Sequence, residues 1–329
     1  MSRECSFTEA LREALTEEML CDDAVFLLGE DIGAYGGAFG VSRGLLDQFG
    51  ANRVVNTPIP EGGFVGLGVG AAMTGLRPVV EIMFMDFIAL AADQMINQAA
   101  KLHYIFGDQA RCPLVIRTPG GAGRRYGPTH SQSLEAWFRH VPGIKIAAPS
   151  TPADAKGLLK TAIRDDNPVL FLEGKALYST RGPVPEDNDF LIPFGQARVA
   201  AEGDDLTIVA WSRMAFEAME AAKRLQKSGA EADVIDLRTL NPLDMQTVVD
   251  SACKTGRVLI VDEAPRSCGL SAEIAARLFD EAFDYLDAPV RRLTAPDIPI
   301  SASPTLEDAA LPDRNKIAEA AIDLVEWGA

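Results

Sequence analysis

The chain has 329 residues, 47% of them hydrophobic and 24% charged, which is typical of a globular protein long enough for two ordinary domains. Its 31 basic and 47 acidic residues give a formal net charge of −16, which argues against a nucleic-acid-binding surface and against binding to anionic membranes. The longest uncharged apolar stretch, residues 62–76, is too short and too rich in glycine to span a bilayer.

The N-terminal segment is polar and shows a helical pattern, so we expect a helix there and no signal peptide. Ser6 and Glu9 form a capping-box pattern, which predicts that the helix begins just after Ser6. The cysteines are odd in number, scattered and without a CxxC pair: Cys5, Cys21, Cys112, Cys253 and Cys268. We therefore expect reduced thiols and a cytoplasmic protein.

The first half of the chain alternates strand and helix signals. Buried strands are predicted at residues 24–31, 77–84, 113–118, 144–149 and 168–173. Helices are predicted at 89–104 and 151–162, the second with Thr151 as its N-cap and Pro152 at its first position. Strands and helices in alternation predict βαβ units and a mostly parallel sheet.

The pattern breaks at residues 177–194, which are rich in proline, glycine and acidic residues and are interpreted as an interdomain connection. A second alternating block follows, with strands at 206–211, 232–238, 257–263 and 289–294. Its helices are predicted at 214–227, 243–254, 270–285 and 314–326. The fold class is therefore α/β, with two doubly wound domains.

Glu61 is a single carboxylate between Pro60 and a run of small and apolar residues that carries no charge until Arg77. Two interpretations are open. A carboxylate at the start of a helix is stabilised by the helix dipole. Alternatively, a carboxyl group in apolar surroundings can hold or share a proton near neutral pH, which is the chemistry of an acid–base residue.

His130 lies in a glycine-rich loop just after a predicted strand, a common position for a catalytic acid or base, although a solvated loop histidine is an equally open interpretation. The other histidines, His103 and His140, do not form a metal-binding spacing with it. Phe84 and Phe87 end a buried strand. They either pack in the core or stack on a planar ligand.

A long series of segments carries a family resemblance: "LLGEDIGAYGGAFGVSRGL", "NTPIPEGGFVGLGVGAAMTGLRPVVEIMFMDFI", "PLVIRTPGGAG", "HSQS", "AIRDDNPVLFLE" and "VDEAPR". In this order they resemble the β subunit of the thiamine-diphosphate-dependent first component of 2-oxo acid dehydrogenase complexes. That family includes the pyruvate, branched-chain and acetoin enzymes. The resemblance covers nearly the whole chain. It implies a transketolase-like pyrimidine-binding domain at 1–178, a linker at 179–196 and a transketolase C-terminal-like domain at 197–329.

The resemblance also implies roles for single residues. Glu61 matches the glutamate that hydrogen-bonds N1′ of the cofactor's aminopyrimidine ring and so promotes loss of the proton from the thiazolium C2. Ile59 and Phe87 match the apolar and aromatic residues beside that ring. His130 matches the histidine that faces the reacting centre and serves proton or acyl transfer to a lipoyl group. The implied enzyme is a dehydrogenase component that decarboxylates a 2-oxo acid or cleaves acetoin, with the lipoyl disulfide as acceptor.

The family resemblance further implies a monovalent cation, usually potassium, held largely by backbone oxygens. The matching residues are Leu114, Ala162, Ile163, Asp165 and Asn167. An ordinary helix-to-strand turn is the alternative for this segment.

A GDG motif, which would indicate a site for diphosphate and Mg²⁺, is missing from the sequence. The resemblance therefore implies that an α subunit supplies that half of the site in an α2β2 tetramer.

The sequence is compatible with several alternatives. The pair Arg124 and Arg125 either meets a substrate carboxylate or an acidic lipoyl domain, or is a solvated surface pair. A single-chain transketolase-like enzyme is an alternative, which the missing diphosphate motif opposes. A non-catalytic scaffold that recruits the lipoyl acyltransferase is another, which the presence of Glu61 and His130 opposes. The sequence leaves the small-molecule substrate undecided among pyruvate, branched-chain 2-oxo acids and acetoin.

Overall fold

The computed structural model describes residues 2–328, and the chain divides into two compact units. The first runs to Gly120 and resumes as Trp137–Phe194, and the second comprises Gly121–Ala136 and continues from Gly195. The domain limits predicted from the sequence, at 178 and 197, stay a prediction.

The strands of the first unit are β1 (Ser2–Ser6), β2 (Val25–Gly29), β3 (Val54–Asn56), β4 (Arg77–Glu81), β5 (Val115–Gly120), β6 (Lys145–Ala147), β7 (Val169–Gly174) and β8 (Arg181–Pro185). Six of them lie in the order β6-β7-β5-β4-β2-β3, and all these neighbours pair in parallel. Strands β5 and β7 are buried along their whole length, as expected for a parallel sheet covered on both faces.

The α-helices of this part of the chain are α1 (Phe7–Cys21), α2 (Leu45–Phe49), α3 (Glu61–Met73), α4 (Ala100–Ile105), α5 (Glu135–Arg139) and α6 (Pro152–Arg164). Two predicted caps are confirmed. The Ser6 hydroxyl accepts from the N–H of Glu9 in a capping box, and Thr151 accepts from the N–H of Asp154 ahead of α6. Capping side chains satisfy backbone N–H groups that have no partner within the helix.

Two segments differ from their sequence prediction. The helix expected at 89–104 is a 3₁₀ turn (Met85–Ala91), a π-helical turn (Gln94–Ala99) and then α4, because all these helix types repeat every three to five residues and share a hydrophobic pattern. Within the expected connection 177–194, β8 pairs antiparallel with β1. Strand β1 is polar and mostly exposed, so no apolar alternation announces it.

The second unit contains β9 (Arg198–Ala201), β10 (Leu206–Ala210), β11 (Ala232–Asp236), β12 (Thr239–Asn241), β13 (Val258–Pro265) and β14 (Arg291–Ala295). Five of these form a sheet in the order β14-β13-β10-β11-β9, parallel except for β9. Its helices are α7 (Ser212–Lys227), α8 (Met245–Thr255), α9 (Leu270–Ala282), α10 (Pro304–Ala310) and α11 (Arg314–Val325). The α/β architecture with mainly parallel sheets is thus confirmed. Among residues 2–328, no helix is long and apolar enough to cross a membrane.

Candidate active site

Three neighbouring strands of the first unit end close to the predicted site residues. Glu30 follows β2, Glu61 comes five residues after β3, and Phe87 lies just beyond β4. These strands are adjacent in the order β4-β2-β3, so their carboxyl ends meet at one edge of the sheet. Ligands of doubly wound sheets bind at that edge. The topology therefore gathers Glu61 and Phe87, which the sequence singled out, together with Glu30, which it did not.

Glu61 is the first residue of α3 and is only 4% exposed. The next residue, Gly62, has no room for a side chain, because a Cβ there would lie 2.9 Å from the carbonyl oxygen of Leu90. Burial raises the pKa of Glu30, and the charges of Asp31 and Glu61 raise it further. The carboxyl group of Glu30 therefore holds a proton more readily than that of an isolated glutamate.

An aromatic row follows the same edge. The rings of Phe84 and Phe87 meet edge to face at 6.0 Å, and Phe39 contacts Phe84 at 5.8 Å. The ammonium group of Lys175 lies 5.2 Å from the centre of the Phe84 ring, at a distance typical of a cation–π contact. Phe87 is half-buried at the end of this row, whereas Ile59 is 65% exposed. The ring of Phe87 is thus held by packing, and Ile59 presents an apolar surface beside Glu61.

His130 belongs to the second unit. Its imidazole Nδ1 lies 3.0 Å from the hydroxyl of Thr129, and its backbone N–H donates to the carbonyl oxygen of Gly127. A cavity of about 660 Å³ adjoins this loop and is lined by residues that include Thr129, Ser131, Glu263, Asp297 and Ile300. The hydrogen bond at Nδ1 fixes the orientation of the imidazole ring.

A buried acidic cluster in the second unit was not anticipated from the sequence. Burial, with the charge of Asp262, raises the pKa of Glu135 to about 8, and burial raises the pKa of Asp262 to about 6. Trp211 donates its indole N–H to Glu135, and Glu263 accepts from the backbone N–H of Ala122. The one available signal was the segment "VDEAPR", which places two acids at the end of β13.

Two family models match nearly the whole chain. The model described as "Transketolase, pyrimidine binding domain" matches residues 3–180, and the model described as "Transketolase, C-terminal domain" matches residues 195–317. A solved structure titled "Split gene transketolase, inactive beta4 tetramer" superposes with a TM-score of 0.78 at 25% identity, over 97% of this chain and 98% of that one. The fold is therefore that of transketolase.

The most informative similarities are to curated proteins. The chain is 49% identical to the pyruvate dehydrogenase E1 component subunit beta of Rickettsia felis, over 95% of each chain. It is 45% identical to the acetoin:2,6-dichlorophenolindophenol oxidoreductase subunit beta of Bacillus subtilis, over 99% of this chain and 98% of that one. The chain belongs to the transketolase-like E1 β-subunit family. Both the pyruvate and the acetoin types occur among its relatives, so the family assignment leaves the substrate undecided.

Thiamine diphosphate is the cofactor that this E1 β-subunit family implies, and the residues at the first sheet edge fit its pyrimidine ring. Glu61 offers a buried carboxyl group, Phe87 an aromatic face and Ile59 an exposed apolar surface. The hydroxyl oxygen of Thr57 is also buried, and it has no hydrogen-bond partner within residues 2–328. A buried polar atom of this kind is suited to a bound polar group.

The residues matched to a cation site in this E1 β-subunit lie around the turn between α6 and β7. The carbonyl oxygens of Ile163 and Asp165 accept hydrogen bonds from Arg77, and that of Leu114 accepts from Val169. Each carbonyl oxygen has a second lone pair, so these bonds leave capacity for a cation. The side chain of Asp165 binds the N–H and the side-chain amide of Asn167, and therefore shapes the turn.

Arg125 has partners within its own unit. Its guanidinium group donates to Glu307 at 2.6 Å and to Asp308 at 2.7 Å, and these bonds raise its pKa. Arg125 therefore anchors a loop. Arg124 is exposed beside it.

Proposed function

We propose that this chain is the β subunit of an α2β2 thiamine-diphosphate-dependent dehydrogenase component. It decarboxylates a 2-oxo acid such as pyruvate, or cleaves acetoin, and passes the acyl group to the lipoyl group of an acyltransferase. The observation that carries the proposal is a buried carboxyl group, Glu61, at the start of α3 in a chain that matches E1 β subunits along almost their full length.

In this proposal Glu61 hydrogen-bonds the pyrimidine nitrogen N1′ and shares a proton with it. A carboxyl group suits this task because it can take up and release a proton, and Glu61 holds it in a buried position at the start of α3. Phe87 and Ile59 contact the ring and exclude water from it. Thiamine diphosphate, when bound, supplies the carbon nucleophile that the side chains of the protein lack.

His130 acts after the nucleophile has formed, as the residue that moves a proton or assists acyl transfer to the lipoyl group. Its ring is oriented by Thr129, which is the arrangement an acid–base histidine requires. The proposal assigns the diphosphate and Mg²⁺ half of the cofactor site to the α subunit, because the GDG motif is missing from this sequence. It also includes the predicted domain limits (1–178, 179–196 and 197–329) and a cytoplasmic location.

The proposal further includes a potassium ion at Leu114, Ala162, Ile163, Asp165 and Asn167. Main-chain carbonyl oxygens at a tight turn are the ligands that a large monovalent cation takes. The support is the geometry of the turn, where Asp165 organises the backbone and the carbonyl oxygens of Leu114 and Ile163 each accept an N–H donor while keeping a second lone pair.

The test is an assay of the chain co-expressed with its α partner. Reduction of 2,6-dichlorophenolindophenol is measured with pyruvate, with branched-chain 2-oxo acids and with acetoin, each with and without thiamine diphosphate and Mg²⁺. We expect one of the three substrates to give a cofactor-dependent rate well above the others. Absence of cofactor-dependent dye reduction with all three, in a tetramer shown to be assembled, would contradict the proposed function.

A further inference from the structure

The loop that carries His130, residues 121–132, has an unusual backbone. It is closed at its base by a hydrogen bond from the N–H of Gly121 to the carbonyl oxygen of Gln132 at 3.0 Å. Four alternate residues have a positive φ: Gly121, Gly123, Arg125 and Gly127. Because such a backbone forms neither helix nor sheet, its N–H groups need acceptors from elsewhere.

Two carboxylates of the same unit supply those acceptors, and one of them, Glu307, is buried. Glu307 of α10 is fully buried, and its two oxygens accept from the N–H of Gly123 at 2.9 Å and of Arg125 at 3.2 Å. The Arg125 guanidinium binds the same carboxylate at 2.6 Å. Glu263 accepts from the N–H of Ala122 at 3.2 Å. Three N–H groups of the loop are thus bound by side chains that lie 140 or more residues away.

The loop also packs closely against neighbouring side chains of its unit. A Cβ on Gly121 would collide with the Glu263 carboxylate, and a Cβ on Gly123 would lie 2.7 Å from the Arg213 guanidinium. Arg213 is itself 3.5 Å from Glu263. Ala122 is buried in a small apolar cluster with Ala295 and Leu311. The loop is therefore held by charge-assisted hydrogen bonds on one side and by packing on the other.

We propose that Glu307 is a positioning residue for His130. The inference rests on the proposed role of His130, since Glu307 would act only through that side chain. Its carboxylate fixes the backbone of Gly123 and Arg125, and this sets the direction in which the loop delivers His130 to the substrate. A misplacement of about 1 Å of a catalytic group can lower a rate by about 100-fold.

The most direct variant is Glu307→Gln. A glutamine keeps the size of the side chain but replaces one acceptor oxygen with an NH₂ group, which then faces the N–H donors of Arg125 or Gly123. Asp308→Asn is the matched control, because Asp308 is exposed and binds the same guanidinium group without touching the loop backbone. If Glu307→Gln does not fold, Glu307→Asp replaces it in the same assays. Aspartate keeps the charge but shortens the side chain by one methylene.

The experiment measures single-turnover acyl transfer to a lipoyl domain in α2β2 tetramers, with the substrate that is active in the dye assay. We expect Glu307→Gln to slow this step by about 10- to 100-fold and Asp308→Asn to leave it within about twofold. In a His130→Ala background, Glu307→Gln should cause no further loss. A multiplicative loss in the double variant would show that Glu307 acts independently of His130 and would overturn the inference.

Hydrogen exchange over residues 121–132 provides the second measurement. We expect Glu307→Gln to raise exchange in this loop and to leave the β10 and β13 strands protected. Unchanged exchange in the loop with a normal acyl-transfer rate would also overturn the inference. If instead His130→Ala leaves acyl transfer at the wild-type rate, the proposed role of His130 fails, and with it the basis of the inference, so the two failures are distinguishable.

Discussion

Trp211 donates its indole N–H to the buried carboxyl group of Glu135 at 3.3 Å. This pair lies beside Asp262, whose charge adds to burial in raising the pKa of Glu135 to about 8. Glu135 is therefore protonated in the folded chain at neutral pH, whereas it is ionised in the unfolded chain. A buried acid of this kind makes stability depend on pH.

We predict that the free energy of unfolding falls as pH rises from about 5 to about 8. The folded pKa of Glu135 lies above its unfolded value, so its contribution is complete below the unfolded pKa and is lost as pH rises through the folded pKa. Glu135→Gln, which never ionises, should flatten this slope by at most about 1.4 kcal/mol per pH unit. Urea unfolding between pH 5 and pH 9 measures it. Glu273→Gln, an exposed change of the same kind, is the control, and an unaltered slope in Glu135→Gln would contradict the prediction.

A second prediction concerns the buried ion pairs behind the first sheet edge. Arg117 is 1% exposed and donates to Glu81 at 2.8 Å and to Glu173 at 2.7 Å. Arg117→Met should lower the free energy of unfolding by about 3–5 kcal/mol, because it leaves two buried carboxyl groups without their cation. The loss should shrink at pH 5, because burial raises the pKa of Glu173 and a protonated Glu173 needs no cation.

The measurement is urea unfolding of the variant at pH 7 and pH 5. Arg277→Met is the control, since Arg277 forms a partly exposed pair with Glu281 that contributes less than about 1 kcal/mol. Equal, small losses for Arg117→Met and Arg277→Met would show that the buried network does not stabilise the fold.

A third prediction concerns the cofactor. The isolated β chain should bind thiamine diphosphate poorly, because the proposed function gives the sheet edge only the pyrimidine half of the cofactor and the sequence has no diphosphate motif. Calorimetry with and without Mg²⁺, on the β chain alone and on the α2β2 tetramer, makes the comparison. Micromolar, Mg²⁺-dependent binding by the β chain alone would contradict the division of the site between two subunits.

A fourth prediction tests the potassium proposal. The melting temperature should be higher in KCl than in choline chloride at equal ionic strength, because a bound cation stabilises only the folded state. Asp165→Ala removes the side chain that organises the turn and should abolish the difference. Asp187→Ala, in a turn outside the proposed site, should keep it. Identical melting temperatures of the wild-type chain in both salts would contradict the proposal.

Local patterns predicted much of the fold. Two helix starts were predicted correctly, because a cap is a contact between residues close in sequence. They are marked by Ser6 with Glu9 and by Thr151 with Pro152. The alternation of buried strands with helices likewise predicted parallel sheets. Strand β1 was not predicted, because its polar residues form a strand only by pairing with β8, about 180 residues away in the sequence.

The site was predictable to a lesser degree. Glu61, Phe87 and Ile59 stood out because a family resemblance and an apolar context pointed to them. Glu135 and Glu307 did not, because their partners Trp211 and Gly123 lie 76 and 184 positions away, and only the fold brings them together. A sequence pattern carries no information on such contacts when each residue is unremarkable within its own segment.

His130 and Glu61 should affect different steps. His130→Ala should leave exchange of the cofactor's C2 proton nearly intact and should slow acyl transfer, because the proposed function gives the imidazole a role only in the later step. Thr129→Val removes the hydroxyl at Nδ1 and should cause a smaller loss in the same step. Both variants are assayed as tetramers by quenched-flow C2 exchange and by single-turnover acyl transfer. Slowed C2 exchange in His130→Ala would contradict the prediction, because it would show that the histidine acts before acyl transfer.

The central claim is that Glu61 shares a proton with the pyrimidine ring, and C2 hydrogen–deuterium exchange, read by NMR after quenching, tests it most directly. Glu61→Gln keeps the size of the side chain but cannot take up or release a proton, and Asp47→Asn, at an exposed position in the first turn of α2, is the control. We predict that Glu61→Gln slows exchange by about 100-fold or more with a much smaller loss of cofactor affinity, while Asp47→Asn exchanges normally. Wild-type exchange in Glu61→Gln would contradict the account and leave Glu61 as a helix-terminal carboxylate.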